Sequence, residues 1–258
     1  MSAHPSETRF FASFDGVRLA WRELGPGSGE GGRPVVLLHG YFSDAQTNWI
    51  RFGHAAAIAA AGFRVIMPDL RAHGESDKPH DLASYPHDAL TRDGHALVAH
   101  LELTDYDLGG YSLGARTVSR MLVTGATPRR VIFCGMGLEG LVETGRRVGH
   151  FRNILLNLGH HPRGTPEWLA EAFLKTTKGD PQALLGVLET FADTPGEALA
   201  KVHQPALVVC GEEDFDNGSA RELADALPDA TYVEVPGGHM SSVTKPELGR
   251  AMADFLAA

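Results

Sequence analysis

A serine, a histidine and a carboxylate are the residue types in this chain that could do chemistry together. Ser112 lies in Gly110-Tyr111-Ser112-Leu113-Gly114, and His239 follows Pro236-Gly237-Gly238. A serine hydroxyl becomes a good nucleophile only when a neighbouring base takes its proton, and a histidine oriented by an acid is such a base. The chemistry of that trio is acyl transfer, beginning with attack on a carbonyl carbon. The stretch around Ser112 has the form this requires. A strand-like run ends in G-x-S-x-G and opens at once into a helical run from Arg116 to Thr124. So tight a turn leaves no room for side chains beside the serine, and Gly110 and Gly114 remove them. The helix N-terminus behind Ser112 favours developing negative charge, and the backbone N–H of Leu113 is placed to meet an oxyanion. Taken alone, G-x-S-x-G is also what a plain strand-to-helix turn with a capping serine looks like.

Three further stretches bear on that choice. The apolar run Val35-Val36-Leu37-Leu38 ends in His39-Gly40-Tyr41-Phe42, where a glycine lets the backbone turn and approach a ligand, and the N–H of Tyr41 is a second candidate oxyanion donor. Gly211-Glu212-Glu213-Asp214-Phe215-Asp216 follows the strand-like run from Pro205. Its four acids compete to orient a histidine, and Asp214 is favoured by its place after the strand. His239 sits on a glycine-flanked loop after the run Thr231 to Val235. A fourth polar stretch, Pro68-Asp69-Leu70-Arg71-Ala72-His73-Gly74-Glu75-Ser76-Asp77, invites a catalytic reading of Asp69 or His73. The structural reading is preferred: Asp69, Arg71 and Ser76 tie the loop down, and Gly74 supplies a turn.

The elements that must position these residues are legible in outline. Arg9–Phe14 and Val17–Leu24 flank Asp15-Gly16, a hairpin signal. Apolar runs at 35–38 and 63–67 read as strands buried on both faces, as in a parallel sheet, and 130–134, 205–211 and 231–235 read as further strands. Between them, Asn48–Ala61, Asp88–Leu101 and Lys245–Leu256 read as helices. His87, His95 and His100 read as helix-surface residues. The connection from Gly25 to Pro34 is glycine-rich. From Gly135 to about Ala200 the strand signal vanishes, and amphipathic runs appear around Leu141–Leu158, Pro166–Thr176, Pro181–Phe191 and Pro195–Lys201, with Pro166, Pro181 and Pro195 suited to first helical turns.

Composition narrows the classes. A chain of 258 residues, 43% hydrophobic and 21% charged, suits one large soluble domain or one with an insertion, and needs no disulfide staples. A net charge of -9 without a basic run argues against nucleic acid as a partner. No apolar run approaches the ~18 residues of a membrane span. The polar start, Met1 to Arg9, has no apolar signal core, so a cytoplasmic protein is expected. Cys134 and Cys210 lie in apolar runs and read as buried reduced thiols; no Cys/His spacing resembles a zinc site.

His-Gly, G-x-S-x-G, Gly-x-x-Asp and Gly-Gly-His each stand just after an apolar strand. In an open parallel sheet all strand carboxyl ends share one edge, so the four converge on one crevice. From about Thr8 to Leu256 the chain resembles the α/β-hydrolase fold superfamily, whose serine, acid and histidine follow in this order. More narrowly, it is similar to the small capped serine hydrolases of the carboxylesterase kind. The resemblance implies an α/β fold with a mostly parallel sheet of about eight strands flanked by helices and a small helical cap. Residues 1–135 and 202–258 would form the core domain and 136–201 the cap. It implies Ser112 as nucleophile, His239 as base, Asp214 as its orienting acid, and the N–H groups of Tyr41 and Leu113 as the oxyanion hole. It implies no cofactor and no metal. The expected partner is a small-molecule substrate, an ester or acyl compound, with no nucleic acid and no membrane; the oligomeric state is left open.

Resemblance within the superfamily also separates reactions. Haloalkane dehalogenases and epoxide hydrolases use an aspartate where this chain has Ser112. Carbon–carbon hydrolases of the meta-cleavage type show H-G-x-G-x-G and an Asn before the serine, whereas this chain has His39-Gly40-Tyr41-Phe42-Ser43 and Tyr111. The pyruvate-eliminating enzymes of menaquinone synthesis resemble it in G-Y-S-x-G, and cofactor-free haloperoxidases, esterases by triad, resemble it too. A slow-turnover receptor with an intact triad is a third class. In the cap, Arg146, Arg147, Arg152 and Arg163, with His150, His160 and His161, read either as a solvated basic face or as a site for an anionic group on the substrate. Phe151, Leu155, Trp168, Phe173 and Phe191 read as cap packing with some pocket lining.

Overall fold

The computed structural model describes residues 7–26 and 31–258. Most of the polar start and the middle of the glycine-rich connection, residues 1–6 and 27–30, lie outside the described residues. Eight strands form one sheet: β1 (Arg9–Ala12), β2 (Arg18–Leu24), β3 (Pro34–Leu38), β4 (Arg64–Pro68), β5 (Asp107–Tyr111), β6 (Val131–Cys134), β7 (Ala206–Gly211) and β8 (Ala230–Val235), in the order β1-β2-β4-β3-β5-β6-β7-β8. The β1–β2 hairpin turns at Asp15-Gly16, closed by Ser13 N–H to Val17 O at 2.9 Å. β2 pairs antiparallel with both β1 and β4, and every pairing from β4 across to β8 is parallel. This is the α/β-hydrolase fold that the resemblance implies, with the buried strands where the apolar runs lie.

Helices cover both faces: α1 (His54–Ala60), α2 (Ala89–His100), α3 (Leu113–Val123), α4 (Leu138–Val142), α5 (Gly145–Leu156), α6 (Pro166–Thr176), α7 (Pro181–Glu189), α8 (Gly196–Leu199), α9 (Ala220–Ala226), α10 (His239–Ser242) and α11 (Pro246–Ala257). Successive strand residues point to opposite faces, and β3 shows what that does. Val35 and Leu37 pack with Trp49, Ile58, Leu248 and Met252 on the α1/α11 side. Val36 and Leu38 pack with Leu97, Val118, Met121 and Leu223 on the α2/α3/α9 side. Both faces are dry, which is why the run contains no polar residue.

Three local expectations change. The helix expected over Asn48–Ala61 is interrupted: a π-type turn, Gln46–Ile50, is followed by Gly53 at φ +82°, and a separate α1 starts at His54. The run around Leu141–Leu158 divides into α4 and α5 at Glu143 and Thr144. Pro195 caps α8 from the position before it, whereas Pro166 and Pro181 do open α6 and α7, behind the caps Thr165 and Asp180. The segment α4–α8 lies between β6 and β7. It is tied to the loop after β3 by Tyr41 Oη to Leu184 O at 2.7 Å and Thr177 Oγ1 to Phe42 O at 2.7 Å.

The loop after β4 is fastened as a structural loop. Asp69 accepts from the N–H groups of Ala45 and Glu75 at 2.8 and 2.9 Å, and Ser76 accepts from Ala20 N–H while donating to Asp69 O. Arg71, fully buried, donates to Asp93 on α2, to Asp15 of the hairpin turn and to Ser84 O. One guanidinium thus joins three separate stretches. Arg71→Met leaves Asp93 buried without its counter-ion, so the expected loss is about 3–5 kcal/mol of folding stability. Urea denaturation reads it as a lower midpoint at unchanged slope.

Candidate active site

Ser112 stands between β5 and α3 with φ 53° and ψ -109°. A non-glycine residue at positive φ stores strain of about 1–3 kcal/mol, and the surroundings hold it there. Ser112 N–H donates to Cys134 O of β6 at 2.9 Å, and Arg116 N–H returns to Ser112 O at 3.0 Å. The flanking glycines are sterically required. A Cβ at Gly110 would lie 2.2 Å from Gly114 C, and one at Gly114 would lie 2.0 Å from Leu38 O. Both obstacles are backbone, which cannot swing aside. Gly114→Ala is therefore expected to cost at least about 3 kcal/mol, the upper end for overpacking, or to displace the elbow; denaturant midpoints together with Ser112 labelling rates report which.

The three residues picked from the sequence meet. His239 Nε2 lies 3.1 Å from Ser112 Oγ, and His239 Nδ1 lies 2.8 Å from Asp214 Oδ2. The imidazole is 10% exposed and the Asp214 carboxylate 1%. Burial pushes the Asp214 pKa up, but its hydrogen bond to His239, the histidine's charge and the Asp216 N–H outweigh burial, and the net direction is downward. An ionised Asp214 accepts a proton-bearing Nδ1, which leaves the Nε2 lone pair facing the serine. Of the competing acids, Asp216 is half exposed and pairs with Arg147 at 3.5 Å; Glu212 and Glu213 are exposed. Tyr111, the residue before Ser112, was not singled out as a site residue by the sequence. Its hydroxyl donates to His239 O and shares a 3.0 Å contact with Ser242 Oγ, so it fastens the histidine loop beneath the site.

The loop after β3 is set by a buried neutral histidine. His39 Nε2 accepts from Leu70 N–H at 2.9 Å, so the ring proton is on Nδ1, which donates to Gly40 O at 2.8 Å. Burial lowers the His39 pKa, in keeping with that neutral form. Ser43 N–H also donates to Gly40 O, and Asn48 Oδ1 accepts Gly40 N–H at 2.9 Å. In a trans peptide the N–H points opposite to the C=O, so the fixed Gly40 carbonyl turns the Tyr41 N–H the other way. Neither this N–H nor that of Leu113 has a hydrogen-bond partner among the described residues. A Cβ at Gly40 would stand 3.6 Å from Ser112 Cβ, so the loop lies against Ser112.

The arginines of the α4–α8 segment divide. Arg146 pairs with Glu139 and Arg152 with Glu189, all four exposed, and Arg163 rests against Trp168. Only Arg147 turns inward, over the Phe151 ring. A cation missed in the sequence, Arg116, lies buried on α3. Its only sequence signal was its place, one helical turn after Ser112. Among the described residues no three His, Cys, Asp or Glu side chains gather as metal ligands would, and no helix is long and apolar enough to cross a membrane.

Residues 35–248 match the alpha/beta hydrolase family. The chain is 32% identical to the dihydrolipoyllysine-residue acetyltransferase component of an acetoin cleaving system from Pseudomonas putida, over 95% of this chain and 68% of that protein. It is 32% identical to a non-heme chloroperoxidase of Kitasatospora aureofaciens, over 94% of this chain and 97% of that one. Among solved structures it is similar to the enol-lactonase from Burkholderia xenovorans LB400, with a TM-score of 0.74 at 22% identity, covering 97% of this chain and all of that one.

Proposed function

The chain belongs to the alpha/beta hydrolase family, and within it we propose a serine hydrolase that cleaves a small ester or related acyl bond through an acyl-enzyme. The observation that carries this reading is the unbroken relay Ser112–His239–Asp214, with contacts of 3.1 and 2.8 Å. Ser112 Oγ attacks the carbonyl carbon as His239 Nε2 takes its proton. Asp214 stabilises the imidazolium without itself being protonated. The tetrahedral oxyanion is met by the N–H groups of Tyr41 and Leu113, each donor being worth about 10^2–10^3 in kcat. The imidazolium then protonates the leaving group, and water, activated by the same histidine, releases the acid. Residues 136–201 serve as a cap over this crevice, on a core made of 1–135 and 202–258. Relatives named epoxide hydrolase are also similar to the chain, but a serine at position 112 supports acyl chemistry instead.

Treatment with a fluorophosphonate followed by peptide mass spectrometry is expected to place one phosphonyl group on Ser112, and p-nitrophenyl acetate is expected to be turned over many times. Labelling at another serine with Ser112 unmodified contradicts the reading. A single turnover accompanied by a large ligand-induced rise in Tm would instead support a receptor.

A further inference from the structure

Three arginines are buried among the described residues, and two of them are neutralised: Arg64 by Glu23, and Arg71 by Asp15 and Asp93. Arg116 is not. It is 5% exposed. Its Nε donates to Gly140 O at 2.9 Å, and its guanidinium carbon lies 4.5 Å from the centroid of the Phe191 ring. Among the described residues no carboxylate forms an ion pair with it, and neither Nη1 nor Nη2 has a hydrogen-bond partner. Arg120, one turn further along α3, shows the ordinary solution, a two-pronged pairing with Asp88. A buried guanidinium without a counter-ion is costly, and its fork of donors matches a carboxylate.

The surroundings add a second cation and apolar walls. Arg147 on α5 is 12% exposed at its side chain, and its one carboxylate partner, Asp216, is 3.5 Å away and half in solvent. Its guanidinium lies 4.7 Å over the Phe151 ring. Burial, and then the charge of Arg147, push the Arg116 pKa down to about 9 against the smaller opposing pull of Asp193, which stands beyond ion-pair distance. Phe151 and Phe191 both pack edge-on against Tyr41, at 4.7 and 6.4 Å. Tyr41 follows the glycine that lies against Ser112. A cavity of about 20 Å³ borders Arg116, Leu113, Thr117 and Phe191, with the Asp88–Arg120 ion pair also on its wall, room for one water or for one carboxylate oxygen.

We propose that Arg116, with Arg147 beside it, binds a free carboxylate carried by the substrate, so that the enzyme acts on acidic esters such as half-esters of dicarboxylic acids. The esterolysis rests on the serine-hydrolase reading above; the anion site does not. Arg116 supplies the planar fork, Arg147 the second charge, and the phenylalanine rings exclude the water that would weaken both.

The test compares mono-p-nitrophenyl glutarate with its methyl-capped neutral diester on the wild-type protein. The expected kcat/KM favours the half-ester by at least about tenfold, and Arg116→Met lowers that preference by roughly ten- to 150-fold, mostly through KM. Arg147→Met lowers it less, and Arg116→Lys recovers part of it. A wild-type preference at or below one overturns the proposal, as does a preference that survives in both Arg116→Met and Arg147→Met. Should Arg116→Met lose cooperative unfolding, Arg116→Lys and Arg147→Met decide on the same ratio. Calorimetry of glutarate on Ser112→Ala separates the two readings. If neither ester is turned over, the hydrolase reading fails, while saturable glutarate binding that weakens in Ser112→Ala/Arg147→Met upholds the anion site, and no binding overturns it.

Discussion

Ser112→Ala is expected to lower kcat by about 10^4-fold or more. On the proposed mechanism the change deletes the atom that would form the acyl-enzyme, yet leaves the imidazole on Asp214 and the N–H groups of Tyr41 and Leu113 in place. What survives is the catalysis that binding and oxyanion stabilisation give by themselves, which for a triad is still roughly 10^3–10^4 over water. KM is expected to move little, because the hydroxyl contributes to the transition state and not to substrate affinity. The backbone at position 112 stays at positive φ, held by Cys134 O and by the return bond from Arg116, so the variant keeps the fold, and its Tm should stay within a few degrees. The measurement is kcat with p-nitrophenyl acetate, alongside loss of fluorophosphonate labelling. Activity within tenfold of wild type would place the nucleophile elsewhere.

The parts of this protein that sequence made legible are those fixed by local rules. β3 was legible because a strand dry on both faces must be apolar at every position, and Val35 to Leu38 are. The elbow was legible because the obstacle at Gly110 and the obstacle at Gly114 are backbone atoms, so only glycine fits. Pro166 and Pro181, each behind a capping Thr or Asp, marked two helix starts to the residue. What the sequence concealed was set by partners distant along the chain. Tyr111 reads as a strand residue until the fold brings His239 O and Ser242, at |i−j| of 128 and 131, to its hydroxyl. Arg116 reads as one more polar residue on a helix; only Gly140 O, the Phe191 ring and the missing carboxylate distinguish it from the well-paired Arg120. Sequence left Arg146 and Arg152 open between a solvated basic face and an anion site; the fold sets Glu139 and Glu189 opposite them, which is the solvated face. Alanine-rich periodicity ran through Gly53 as though the helix were continuous, because composition does not report the left-handed backbone that breaks it.

Asp214→Asn is expected to lower kcat by about 10^4-fold, whereas Asp216→Asn, two residues on, changes it less than about threefold, as for a surface ion pair. The two carboxylates differ in what they hold. Asp214 is buried and accepts from His239 Nδ1 at 2.8 Å. An asparagine of the same shape can present its amide N–H to Nδ1, and the imidazole then shifts its proton to Nε2 to accept that bond. The ring keeps its place, but an N–H now faces Ser112 Oγ where a lone pair is needed, so the base is lost with the geometry intact. Because Asp214 is held below the usual carboxylate range by its bond to His239 and by the histidine's charge, against the upward push of burial, it is ionised throughout the neutral assay range, and the contrast does not depend on the buffer chosen there. Asp216 reaches Asp214 through its backbone, whose N–H donates to Asp214 Oδ1 at 3.3 Å; that bond survives the side-chain change. Its own carboxylate is half in solvent opposite Arg147. Steady-state kcat for the two variants, each checked for an unchanged Tm, decides the assignment. Two small and equal effects would move the orienting role to Glu212 or Glu213, which the fold leaves exposed.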